Sequence, residues 1–391
     1  MFKSHIACII LPGLLISYNQ TKAQGNNWKT ADTITIHSRT LNEPRRIFIH
    51  FNPRNPSAKG PYPVLYVLDG ENHLPLVAGI LDYAAKNTLS VPEMIIVGID
   101  NNGYDRERDL TPTHSDKKDP VSAPDTSATS STKTSGGGEK FLQFLDKEVI
   151  PYVNSHYPAA PFRILSGHSL GGLLSVHALF SHPELFGAYI GISPSLWWDD
   201  EYLINHLQNQ LQPGTFRNKK LYFSIAGEGG VFYQDLENFN NLLTRHPSDL
   251  DFVYKTYPGE THTSSPLRAY YDAFTFIFKD MALPESDTTV AQITDHYTKL
   301  SAIYGYRLLP PEGIVNGKGY QLLGMNRPKE AISFFLLNVR NYPASANVFD
   351  SLGDGYVALK DTAKAIAAYQ KALELDKNQD YTRQKLNQLK R

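Results

Sequence analysis

Apolar residues along this chain come in short runs broken by turn-forming residues, and their spacing changes from one stretch to the next. In Thr33 to Ile36 and Arg46 to Phe51 apolar and polar positions alternate, which predicts strands with one solvated face at the antiparallel edge of a sheet. Pro63 to Leu68 is instead a nearly uninterrupted apolar run, the pattern of a strand buried on both faces of a parallel sheet, and Met94 to Ile99 reads as a second core strand. Further strands are predicted at Phe162 to Leu165, in a run ending at Ser193, at Leu221 to Ala226 and at Asp251 to Tyr257. Helical spacing falls between them. Phe141, Leu142, Leu145, Val149 and Ile150 share one face of a helix over Glu139 to Tyr152, and helices are expected at Gly172 to Phe180 and Tyr233 to Leu243.

Beyond Leu283 the pattern turns helical throughout. Gly319, Ala331, Phe335 and Pro343 recur thirty-four residues later as Gly353, Ala365, Tyr369 and Lys377. That period is the length of a tetratricopeptide repeat, a helix hairpin in which small residues let the helices cross closely and large ones fill the gaps. The second copy, with Leu352, Gly353, Tyr356, Ala365, Tyr369 and Ala372, is the better one. Two copies fall short of the number such repeats need to stand alone, so they are expected to dock on the preceding domain or on extra helices from residues 287–305. They read either as a groove for a protein partner or as a structural brace.

The chain has 391 residues, 41% of them hydrophobic, enough for a large core and two or three domains. Its formal net charge of −1 and the lack of a long basic run argue against polyanionic partners, nucleic acid included. Met1 to His5, the apolar stretch Ile6 to Ile16 and the small residues Thr21 and Ala23 read together as an export signal over residues 1–23; the apolar run is too short to span a bilayer. Its removal leaves no membrane span. The lone cysteine, Cys8, lies inside that segment, so the processed chain would have neither a disulfide, nor a cysteine nucleophile, nor a thiolate metal site.

Candidate chemistry centres on Gly167-His168-Ser169-Leu170-Gly171, a G-x-S-x-G pentapeptide between a strand and a helix. The turn is expected to be so tight that side chains at Gly167 and Gly171 would collide with backbone, leaving the Ser169 hydroxyl exposed. The Leu170 N–H then sits at a helix N-terminus, suited to hold a developing oxyanion. A serine hydroxyl needs a histidine to take its proton and a carboxylate to orient that histidine. Of His168, His177, His182, His206, His246 and His262, only His262 follows a strand in a turn-rich loop, Pro258 to Thr263. Glu228, directly after the strand Leu221 to Ala226, is the preferred acid, with Asp235 and Asp199 as competitors. The second oxyanion donor is expected from the loop after Leu68, at the N–H of Gly70 or Glu71. Trp197 is expected to line the pocket, beside Trp198, and Arg108 with Asp109 to form a structural ion pair. No cluster of His and acidic residues suggests a metal, and the chemistry requires no cofactor.

Four segments, Tyr62 to Gly70, Arg108 to Pro112, Gly167 to Gly172 and Ser193 to Trp198, together resemble the esterase D and enterochelin esterase-like group of α/β-hydrolases over roughly residues 27–282. The resemblance implies an α/β-hydrolase fold, a mostly parallel central sheet flanked by helices, over 27–282, with a helical tetratricopeptide-repeat-like region over 287–391. It also implies Ser169, Glu228 and His262 as nucleophile, acid and base. Substrates in that group are siderophore lactones, S-formylglutathione and acyl or feruloyl esters of carbohydrates. An exported serine ester hydrolase for acylated carbohydrate or siderophore-type esters is therefore expected; the alternatives are an acyltransferase and a scaffold whose hydrolase fold is idle. The stretch Thr111 to Gly138 departs from the group by being longer and more polar. Its low-complexity part, His114 to Gly138, has too little apolar surface to pack and is expected to be mobile, either plainly disordered or a lid at the active-site edge.

Overall fold

The computed structural model describes residues 31–53, 60–88, 90–117, 134–207, 211–212, 214–246, 248–281 and 289–391. The export-signal segment 1–23 and most of the low-complexity stretch, 118–133, lie outside the described residues. Eight strands build one sheet: β1 (Asp32–Ser38), β2 (Glu43–His50), β3 (Tyr62–Val67), β4 (Ile95–Ile99), β5 (Ala159–His168), β6 (Ala188–Ile192), β7 (Lys220–Ala226) and β8 (Asp251–Tyr257). Their spatial order is β1-β2-β4-β3-β5-β6-β7-β8. β1 pairs antiparallel with β2 and β2 antiparallel with β4; every pairing from β4 to β8 is parallel. Alternation in β1 and β2 thus did mark the antiparallel edge. Every residue of β3, β4, β6 and β7 is buried, as the unbroken apolar runs require of strands covered on both faces.

Successive side chains of β3 serve two cores. Val64 and Tyr66 pack into one, with α3 (Gly138–Phe144), α4 (Ile150–His156), α5 (Leu170–Ser181), α6 (Trp198–Leu207) and α7 (Val231–Arg245); Leu65 and Val67 pack into the other, with α1 (Gly70–Tyr83) and α8 (Pro266–Ile277). A short helix, α2 (Arg106–Leu110), lies in the loop after β4. The helix expected over Glu139 to Tyr152 is continuous from α3 through α4, with one wider turn at Leu145–Val149.

Six further helices, α9 (Val290–Tyr304), α10 (Glu312–Gly324), α11 (Pro328–Asn341), α12 (Ala346–Ala358), α13 (Thr362–Leu375) and α14 (Asp380–Leu389), form the C-terminal region. Its thirty-four-residue period has a physical cause. A Cβ on Gly319 would lie 2.4 Å from the Phe335 ring and one on Gly353 2.3 Å from the Tyr369 ring, so the same glycine-on-aromatic contact closes α10 on α11 and α12 on α13. The region is docked, as its short length demanded. Phe334 and Leu337 of α11 belong to the α1/α8 core, the Phe162 and Tyr304 rings meet edge-to-face at 4.8 Å, and Tyr304 Oη donates to Ile277 O at 2.8 Å.

Candidate active site

The C-terminal ends of β3, β5, β6, β7 and β8 lie along one edge of the sheet, where parallel α/β folds place their ligands. Asp69, Ser169, Ser193, Glu228 and His262 all follow these ends within five residues of the strand.

Ser169 holds φ 60° and ψ −120°, a backbone state that costs a residue with a side chain about 1–3 kcal/mol. The neighbours enforce it: Ser169 N–H donates to Ile192 O at 2.9 Å, while the amides of Leu173 and Ser195 donate to Ser169 O at 2.9 and 3.2 Å. A Cβ on Gly167 would lie 2.2 Å from Gly171 backbone, so only glycine fits there. At Gly171 the expected collision is milder, with Asp69 Oδ2 at 3.3 Å; the tighter second contact is at Gly172, 3.0 Å from Pro194 Cα.

Two helix N-termini meet here because β3 and β5 are neighbours. In α5 the amide of Leu173 bonds back to Ser169 O, so the N–H of Leu170 precedes the intrahelical ladder. In α1 the amides of Asn72 and His73 bond to Asp69 O at 3.0 and 3.1 Å, and those of Gly70 and Glu71 precede them. Gly70 is pressed against β4, where its Cβ would lie 2.5 Å from Gly98 Cα. The Glu71 carboxylate accepts from Asn101 N–H at 3.1 Å and is raised in pKa, chiefly by burial. Between the two helix starts Asp69 takes a forked pair of bonds from Arg106, at 2.7 and 2.9 Å.

His262 Nδ1 is bonded to Glu228 Oε1. The other carboxylate oxygen, Oε2, accepts from Ala226 N–H at 2.8 Å and from Ser193 Oγ at 3.2 Å. Burial works against the Glu228 charge, but the His262 contact and these two donors outweigh it and hold the carboxyl below its ordinary pKa. The His168 ring packs on the His262 ring at 4.3 Å between centroids, which sets the imidazole beside the residue that precedes Ser169. Burial, then the neighbouring His262 and His73 rings, push His168 down to about 3, so it stays neutral. Ser169 Oγ itself has Ser195 Oγ as a partner at 3.4 Å.

The other histidines are engaged elsewhere: His182 with Glu139, His206 with Tyr202 O and His246 with Leu242 O, while burial pushes His177 on α5 down to about 4. Asp235 lies buried on α7, away from the His262 pairing. Arg108 is the anchor expected of it, bonded to Asp109 and Glu43, and the buried Arg45 joins the same cluster. Trp197 is half-buried, 5.9 Å edge-to-face from Phe232, whose ring is in turn 5.9 Å from that of His262. The sequence assigns no role to Ser193 or Ser195, although both lie in a family-like segment, nor to Arg106 or the ring contact of His168. Among the described residues no cluster of three or more His, Cys, Asp or Glu side chains is suited to a metal.

Residues 38–229 match the sequence model of the family described as "Putative esterase". Ferri-bacillibactin esterase BesA of Bacillus subtilis is 31% identical over 207 residues, 49% of this chain and 67% of that protein. The chain belongs to the esterase family. Among solved structures, an IroE-like serine hydrolase from Shewanella oneidensis is 28% identical, with a TM-score of 0.69 over 79% of this chain and 99% of that one. The siderophore triacetylfusarinine C esterase of Aspergillus fumigatus is 35% identical over 153 residues, 37% of this chain. The chain spans about half the length of that relative, 47%. Residues 346–379 match the tetratricopeptide repeat, the better of the two copies recognised from period alone. The esterase-family α/β fold is thus followed by a repeat region, and among the described residues no helix is long and apolar enough to cross a membrane.

Proposed function

We propose that this protein is an exported serine ester hydrolase acting on siderophore-type esters. One arrangement carries the reading: a strained serine at a helix N-terminus follows His168, whose ring packs on that of His262, and His262 Nδ1 is already bound to a carboxylate. With Nδ1 held by Glu228, His262 Nε2 is the nitrogen that takes the proton as Ser169 Oγ attacks the ester carbonyl, and Glu228 stabilises the imidazolium. Leu170 N–H and the N–H of Gly70 or Glu71 receive the oxyanion; loss of one such donor typically costs about 3 kcal/mol of transition-state stabilisation. His262 returns its proton to the departing alkoxide. Water then attacks the acyl-enzyme with His262 as base, releasing the acid and free Ser169.

The names of the relatives favour siderophore esters over acylated carbohydrate, and the N-terminal segment favours export. The extensive docking of the C-terminal helices on the sheet supports a bracing role for the repeats. Product analysis by mass spectrometry tests the substrate. A cyclic catecholate or hydroxamate trilactone should be opened to linear product by wild type and not by Ser169→Ala, faster than acetylated or feruloylated sugars. Preference for the sugars would reassign the substrate, and no turnover of any ester would favour the idle scaffold.

A further inference from the structure

Behind Trp197 lies a cavity of 260 Å³ that no step of this chemistry uses. Among the described residues its wall carries four acids, Asp199, Asp200, Glu201 and Asp235, and one cationic side chain, Lys117, which is already paired with Asp200. Asp235 is 2% exposed, and its Oδ2 is buried without a hydrogen-bond partner. Burial comes first, then contact with the Glu201 carboxyl, in pushing Asp235 up to about 7. Two carboxyl groups are therefore held together at the cavity wall with no counter-cation of their own among the described residues. Asp199, Asp200 and Glu201 also adopt three successive left-handed conformations, with φ of 51°, 54° and 58°, a run that residues with side chains rarely sustain. That turn brings three acids in succession to the wall. Trp197 adds an aromatic face, and its buried Nε1 donor lacks a partner.

We infer that this cavity is a subsite for a protonated amine carried by the substrate. The inference rests on the esterase reading only for the word substrate; the binding itself needs no chemistry at Ser169. An ammonium supplies donors to Asp235 Oδ2 and Glu201, replacing the proton that otherwise relieves their repulsion, while the indole of Trp197 suits an organic cation. An oxygen next to the amine would accept from Trp197 Nε1. A neutral sugar hydroxyl would leave the surplus negative charge unanswered, and a divalent metal lacks a three-ligand cluster among the described residues. Two ring contacts, Trp197 to Phe232 and Phe232 to His262, link the cavity wall to the reactive centre.

Isothermal titration calorimetry on the full chain tests this with 2-phenylethylammonium and its uncharged counterpart 2-phenylethanol. Wild type and Ser169→Ala should both bind the ammonium at least tenfold more tightly than the alcohol. Asp235→Asn and Glu201→Gln should each erase that preference, with melting curves confirming that both variants fold. Equal affinity for the two compounds in wild type, or a preference that survives Asp235→Asn, would overturn the assignment. So would tighter binding of glucose or of Mn²⁺ than of the ammonium at this site. Failure of ester hydrolysis in wild type with the ammonium preference intact would remove the esterase reading and leave the amine site standing.

Discussion

Ser193 Oγ donates to Glu228 Oε2 at 3.2 Å, which ties the end of β6 to the loop after β7 and holds the carboxylate from a second strand. A hydrogen bond to a charged group contributes about 1.5–3 kcal/mol. Ser193→Ala should therefore lower kcat roughly tenfold or more on a short-chain ester and leave KM nearly unchanged, because the bond orients the acid and does not touch the ester.

Glu228→Gln should cost far more, by about 10⁴ in kcat, since a neutral amide neither fixes the imidazole tautomer nor stabilises its cation. The same carboxyl predicts a pH effect on folding. Its pKa is lowered in the folded state, so its contribution is present above the ordinary carboxylate range and is lost as pH falls through the folded value. Melting temperatures measured from pH 7 down to pH 3 should fall more steeply for wild type than for Glu228→Gln.

Asp235 has the opposite sign. Its folded pKa, raised to about 7 by burial and then by Glu201, exceeds the ordinary value of 3.8, so the folded state holds the proton more tightly. Stability from this group is full below pH 4 and is lost as pH rises towards 7. Asp235→Asn, which cannot ionise, should raise the melting temperature more at pH 8 than at pH 5. An equal effect at both would show that the pair does not titrate as described.

Sequence made the sheet legible because its central strands β3, β4, β6 and β7 are buried on both faces and the antiparallel edge strands β1 and β2 alternate. β8 has the bounds read from Asp251 to Tyr257, and Glu228 and His262 could be found because each follows a strand, β7 or β8, through glycine-rich or turn-rich residues. Ser193 and Ser195 could not. The register of β6 on β5, His168 beside Ile192, places Ser195 against Ser169, while Ser193 bonds to Glu228, and an isolated serine carries no periodic signal. From sequence Asp235 reads only as a competitor for the acid; its burial on α7 and its contact with Glu201, more than thirty residues earlier in sequence, exist only in three dimensions. Nor does any spacing in the sequence announce that a loop more than ninety residues further on brings His262 onto the His168 ring.

In the repeat region Gly353 touches Tyr369 so closely that a methyl group would lie 2.3 Å from the ring. Gly353→Ala should force the two helices of that hairpin apart and cost about 1–3 kcal/mol, read as a lowered melting temperature. The site at Ser169 is remote from this contact, and ester hydrolysis below the melting temperature should persist.

Labelling with a fluorophosphonate, located by peptide mass spectrometry, tests covalent catalysis most directly. Wild type should carry one phosphonyl group, on Ser169; Ser169→Ala should carry none, and His262→Ala should label at least 10²-fold more slowly because a positioned base is missing. An unlabelled wild type, or a phosphonyl group on Ser195 with Ser169 untouched, would contradict the assignment of Ser169 as the nucleophile.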